Sequence, residues 1–147
     1  MPNFNPKSIK IIMIYESPPE DKRDYFYSSK NSLYVTSTIE AFKKANIPVK
    51  SVKDIVNKGV YLSVAVKEPR KGLMVDSHTI EKYSYELEKE LVKFPNVKAI
   101  LLMGETAIKA LNMISKRIYN TAAILPGRTY KIRGRKFYFG NIRVFPS

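Results

Sequence analysis

Apolar residues recur along this chain in two rhythms. Residues 9–15 (IKIIMIY), 60–66 (VYLSVAV) and 97–103 (VKAILLM) are short, almost unbroken runs rich in β-branched side chains. A strand with one wet face alternates apolar and polar positions, so runs of this kind predict strands covered on both faces. The intervening segments follow a spacing of three and four. Over residues 31–45, Val35, Ile39 and Phe42 share one helical face, and Asn46-Ile47-Pro48 predicts the stop. Asp76 or Ser77 predicts the cap of a helix running to about residue 93, with Ile80, Tyr83, Leu87 and Leu91 turned inward. Gly104 predicts a tight turn into a helix over 105–114, with Ala107, Ile108, Leu111 and Ile114 inward. Residues 130–133 and 136–139, joined by Gly134 and Arg135, predict a hairpin, and residues 141–145 a last strand. Residues 1–8 form a lead-in, and 16–30 and 67–72 are loops.

Strand-helix alternation implies an α/β fold. The expectation is a three-layer α/β/α domain over 1–147, with a central, mainly parallel four-stranded sheet plus a C-terminal hairpin. A chain of 147 residues suffices for one domain with a real core. No repeat, low-complexity tract or linker interrupts it.

Composition narrows the chemistry. The absence of cysteine excludes disulfides, thiolate catalysis, zinc-thiolate sites and iron–sulfur clusters. A single histidine, His78, argues against a His-based metal site. It falls in the first turn of a helix with no partner nearby and is assigned no catalysis. No apolar run approaches the roughly 18 residues that span a bilayer, and the opening MPNFNPKSIK lacks the apolar segment of a signal peptide. The expectation is a soluble cytoplasmic monomer with no membrane association, no metal and no cofactor.

Charge then points to a partner. Lys and Arg number 26 against 13 acids, and the excess is uneven. Residues 74–116 hold six bases and six acids, whereas residues 117–147 hold seven bases and no acid. That basic stretch is interleaved with Tyr130, Phe137, Tyr138 and Phe139, which suits phosphate contact and base stacking. The plainer reading is a solubilising surface. Nucleic acid, DNA first, is the expected partner.

Ligands of open α/β sheets bind beyond the carboxyl ends of the strands. Three such ends carry chemistry here: Glu16-Ser17-Pro18-Pro19, Lys67-Glu68-Pro69 and Phe145-Pro146-Ser147. Gly104, ahead of a helix, offers free amides to an anion, although Glu105 beside it would repel a phosphate. Each feature also has a purely structural reading. Glu16 can be a solvated strand end, Phe26 loop packing, Ser63 a small core residue and Arg128 to Lys136 an ordinary wet surface.

Taken in order, these segments resemble the uracil-DNA glycosylase superfamily. YESPP at 15–19 looks like the first motif of that family, Gly-Glu-Ala-Pro-Gly in one branch. DYFYS at 24–28 is similar to the aromatic loop after it. YLSVAVKEP at 61–69 looks like the second strand, where the family often has Thr-Asn-x-Val-Lys. VKAILLMGETAIKAL at 97–111 is similar to a strand-Leu-Gly-x-x-Ala-Leu segment, and VFPS at 144–147 to the closing His-Pro-Ser.

The resemblance implies a protein that binds DNA and hydrolyses the N-glycosidic bond of uracil or another damaged base. Glu16 would activate water at the sugar's anomeric carbon and stabilise developing positive charge. The base would leave the duplex and stack on Phe26, or on Tyr27. Ser63 would read its edge, with Phe145 alongside. Ser17, Pro18, Lys67, Arg128, Lys131, Arg133, Arg135, Lys136 and Ser147 would hold phosphates. Four departures bear on activity. Phe145 stands where the family has histidine and can donate no hydrogen bond, and loss of one such donor costs about 10²–10³ in rate. Ser63 is shorter than the family's asparagine. Tyr15 and Pro19 replace glycines and narrow the pocket. A module that binds nucleic acid without chemistry and a nucleoside or nucleotide hydrolase are the alternatives.

Overall fold

In the computed structural model, residues 4–18, 33–69, 75–124 and 135–146 are described, residues 33–35 in their backbone alone. The apolar runs form the strands β1 (Ile11–Tyr15), β2 (Val60–Val64) and β3 (Ala99–Leu102). Two further strands close the chain, β4 (Phe137–Phe139) and β5 (Ile142–Pro146). The helices are α1 (Leu33–Lys44), α2 (Val52–Asn57), α3 (Ser77–Leu91) and α4 (Glu105–Tyr119).

The strands form one sheet in the order β2-β1-β3-β5-β4. The first four are parallel and β4 runs antiparallel to β5. The expected α/β fold with a mainly parallel sheet is therefore the fold observed. The hairpin is formed by β4 and β5, with Phe139 opposite Ile142 and only Gly140 and Asn141 between them. Gly140 has φ +59° while Asn141 does not take a positive φ, the pattern of a type II′ turn. Residues 130–133, the expected first arm of a hairpin, lie outside the described residues.

Register carries the side-chain parity across the sheet. Ile12, Ile14, Tyr61, Ile100, Leu102 and Val144 point to one face, where Leu87 of α3 and Ala107, Leu111 and Ile114 of α4 bury them. Met13, Leu62 and Val64 point to the other, under Ile39 and Phe42 of α1 and Ile55 of α2. Tyr15 is tied to α1 through its hydroxyl, 2.7 Å from Thr38 Oγ1. Three layers result.

Helix ends follow local chemistry. Asp76 caps α3, accepting from Thr79 N at 2.9 Å and Thr79 Oγ1 at 2.9 Å. Those two bonds hold the Asp76 carboxyl below its ordinary pKa. Helix α1 stops at Asn46, φ +62°, with Asn46 N bonded to Lys43 O and Ile47 N to Phe42 O. That is a Schellman stop with asparagine in the left-handed position. Helix α4 runs five residues past the expected end at Ile114 and stops at Asn120, also φ +62°. Helix α2 has no counterpart in the sequence expectations. Its Ser51 hydroxyl accepts from Asp54 N at 3.2 Å.

Candidate active site

The connection from β1 through α1 and α2 leads to β2 on one side, and the connection through α3 leads back to β3 on the other. The order therefore switches between β1 and β3, the position where open α/β sheets present a crevice at their carboxyl ends. Glu16 is the first residue past β1 at that position. Its backbone still belongs to the sheet, with Glu16 O accepting from Val66 N at 3.0 Å. Its side chain crosses to the segment after β3.

Gly104, φ +116° and ψ 168°, occupies the N-cap position of α4 and has no side chain to cap with. The Glu16 carboxylate supplies the missing acceptor. Its Oε2 receives the Thr106 amide at 3.1 Å. A Cβ on Gly104 would lie 2.6 Å from Glu16 Cδ and 2.8 Å from Cγ, so only glycine permits this approach. The first amides of a helix lack intrahelical partners and carry the positive end of its dipole. The helix start thus takes an internal anion, a carboxylate from the neighbouring strand.

Beside Glu16, Ser17 is buried and Pro18 half-buried. Ser63 is paired in register with Ile14, two residues upstream of Glu16, and is 1% exposed. Its hydroxyl donates to Glu90 Oε1 on α3. Glu90 Oε2 accepts from Tyr61 OH at 3.1 Å. Lys67 Nζ joins the same group, at 2.6 Å from Val64 O, 3.2 Å from Ser63 Oγ and 3.2 Å from Glu90 Oε1. Ser63 and Lys67, expected at a base and at a phosphate, are here engaged with each other and with Glu90. The next loop residue, Glu68, accepts from Tyr83 OH at 2.9 Å. That bond, with burial and the carboxylate charge behind it, raises the Tyr83 phenol above its ordinary pKa.

Phe145 lies elsewhere. It pairs in register with Leu101, which pairs with Met13, and so faces the α1/α2 side of the sheet. Glu16 reaches instead toward α4. Phe145 is 42% exposed, with the Arg143 guanidinium 4.7 Å from its ring centroid. The structure thus brings Glu16, Gly104 and Thr106 together and sets Phe145 on the opposite face. Arg135 and Lys136 are exposed ahead of β4, on the far edge of the sheet. Phe26, Tyr27, Arg128, Lys131, Arg133 and Ser147 lie outside the described residues.

A cavity of about 180 Å³ opens at the other end of the sheet, between α3 and α4. Ile12, Leu91, Val97, Ile114, Phe139 and Ile142 line it, with Glu88 and Tyr119 also in its wall. It is remote from Glu16 and offers little polar chemistry. Among the described residues no group of three or more His, Cys, Asp or Glu is placed to hold a metal ion. No described helix is long and apolar enough to cross a membrane.

Sequence reasoning named Glu16 and Gly104 separately and missed that they meet. It also missed Glu90, which turns onto β2. The signal was present, since Glu90 lies seven residues after Tyr83 and three after Leu87 and so belongs to the inward side of α3. Compared with protein-family models and with curated protein sequences, the chain matches none.

Proposed function

We propose that this protein binds DNA and acts on the N-glycosidic bond of uracil or another damaged base, in the manner of the uracil-DNA glycosylase superfamily. The observation that carries the reading is the position of Glu16. A carboxylate stands at the switch point between β1 and β3, oriented by the Thr106 amide and packed on Gly104. Hydrolysis at an anomeric carbon needs a fixed carboxylate that orients water and stabilises positive charge on the sugar. Water oxygen would bond to the anomeric carbon as the carbon–nitrogen bond breaks, with that bond's electron pair leaving on the base and the water's proton passing to the Glu16 carboxylate. The backbone amide of Thr106 helps to orient the carboxylate. The net charge of +13 supports attraction to a polyanion.

A second reading is favoured by Phe145. It can donate no hydrogen bond, and its ring faces away from Glu16. Nothing at that position stabilises the departing base, so a slow enzyme or a binding module without chemistry follows. Incubation with single- and double-stranded uracil oligonucleotides, then alkaline cleavage, separates the readings. Abasic product that disappears in Glu16→Gln supports the glycosylase. DNA binding with no abasic product supports the module. Base released from free nucleosides but not from DNA points to a nucleoside hydrolase.

A further inference from the structure

The face of the sheet opposite α3 and α4 carries a surface that the Glu16 site does not use. Tyr138 on β4 stands directly opposite Arg143 on β5, and Phe145 follows two residues later on the same face. Tyr138 is 51% and Phe145 42% exposed. The Arg143 guanidinium lies between the two rings, 5.9 Å from the Tyr138 centroid and 4.7 Å from that of Phe145. Its Nε is buried without a hydrogen-bond acceptor, and Arg143 forms no salt bridge among the described residues. Two open rings and a cation with no salt bridge among the described residues therefore share one face at the edge of the sheet.

We propose that Tyr138, Arg143 and Phe145 form a stacking platform for single-stranded DNA. Aromatic side chains displayed on a strand face take unpaired bases on their rings, and a guanidinium plane between them adds cation–π contact. Tyr138 and Phe145 are diagonal neighbours, about 7–8 Å apart along the two strands, a step that successive splayed bases can bridge. Arg135 and Lys136, exposed just ahead of β4, supply phosphate contacts. An apolar protein partner is disfavoured, since covering the surface would bury the Arg143 charge against apolar groups. A duplex offers no free base faces to the rings. The assignment to DNA rests on the function proposed above. The platform itself does not require that Glu16 be catalytic.

The test is fluorescence anisotropy with a labelled oligothymidylate, a duplex of the same length and the matching RNA, at fixed salt. The wild-type protein should bind the single strand at least about tenfold more tightly than the duplex. Tyr138→Ala and Phe145→Ala should each weaken single-strand binding about fivefold or more while leaving its salt dependence unchanged. Arg135→Ala and Lys136→Ala should instead lower the salt slope by about one each. Tyr138→Leu and Phe145→Leu keep apolar bulk without the ring and should lose binding similarly, with unchanged thermal unfolding excluding a folding defect. Equal binding of duplex and single strand, or ring variants that bind like wild type, would overturn the platform. Preference for the RNA would overturn the assignment to DNA. Glu16→Gln should keep this binding, so loss of base excision alone leaves the platform standing, and loss of ring dependence alone leaves the glycosylase reading standing.

Discussion

Substituting Gly104 by alanine tests the geometry on which the candidate site rests. The new Cβ would fall 2.6 Å from Glu16 Cδ, 2.8 Å from Cγ and 2.9 Å from Oε1. Real contacts of that length do not persist, so the Glu16 side chain must leave and the Thr106 amide must lose its acceptor. A lost hydrogen bond to a charged group costs about 1.5–3 kcal/mol. The backbone adds its own term, because φ +116° with ψ 168° belongs to a region almost restricted to glycine, at about 1–3 kcal/mol for other residues. Together the expected loss is about 2.5–6 kcal/mol, to be read from urea unfolding. The decisive measurement is the double variant with Glu16→Ala. Glu16→Ala alone removes the same hydrogen bond, so that loss is counted once in the double variant and twice in the sum of the singles. The double should therefore fall short of the sum by about 1.5–3 kcal/mol. Strict additivity would mean that Glu16 does not rest on Gly104, and the arrangement at the switch point would be refuted.

The polar cluster of Ser63, Tyr61, Lys67 and Glu90 makes a second prediction. Glu90→Ala should cost about 2–3 kcal/mol in chemical unfolding, because Ser63, Tyr61 and Lys67 lose a shared acceptor. Glu90→Gln, which keeps a carbonyl acceptor, should cost about half as much. A loss under about 0.5 kcal/mol for the alanine variant would show that water replaces the carboxylate. A third concerns Tyr83, whose folded pKa is raised above the ordinary 10.0 by its bond to Glu68. The protonated phenol is the bonded form, so its stabilisation is complete below that value and fades as pH rises through the higher folded pKa. The phenolate absorbance that Tyr83→Phe removes should appear above pH 10.0 and move down in Glu68→Ala. Titration at or below the ordinary value in the wild type would refute the bond.

The sheet was legible because continuous burial leaves a continuous apolar run. Residues 9–15, 60–66 and 97–103 each contain a parallel strand, trimmed at the ends where the chain leaves the ladder. Helices α1 and α3 were legible from spacing and from their terminal residues, Asn46 and Asp76. Helix α2 escaped because six residues hold too little periodicity. Its one signal was local: Ser51 followed three residues later by Asp54, an acidic variant of the capping pair. The end of α4 was placed too early although Ile118, four residues after Ile114, continues the apolar spacing. Residues 116–120 are exposed and helical up to Tyr119.

The site was legible in its members more than in its arrangement, and the reason is physical. A strand end followed by Glu-Ser-Pro-Pro identifies a carboxylate at a rim, because strand ends are local. What that carboxylate touches depends on which strand lies beside it, and strand order is a long-range property. With β3 next to β1, Gly104 falls under Glu16 and the carboxylate completes the start of α4. The same register that brings these two together turns Phe145 to the opposite face, since Met13, Leu101 and Phe145 stand in one row and Ile14, Leu102 and Pro146 in the next. A shift of one residue in that pairing would have exchanged the rows. Segments that share a rim in sequence order therefore serve two faces here: an acid held against a helix start on one, and an aromatic and cationic surface on the other.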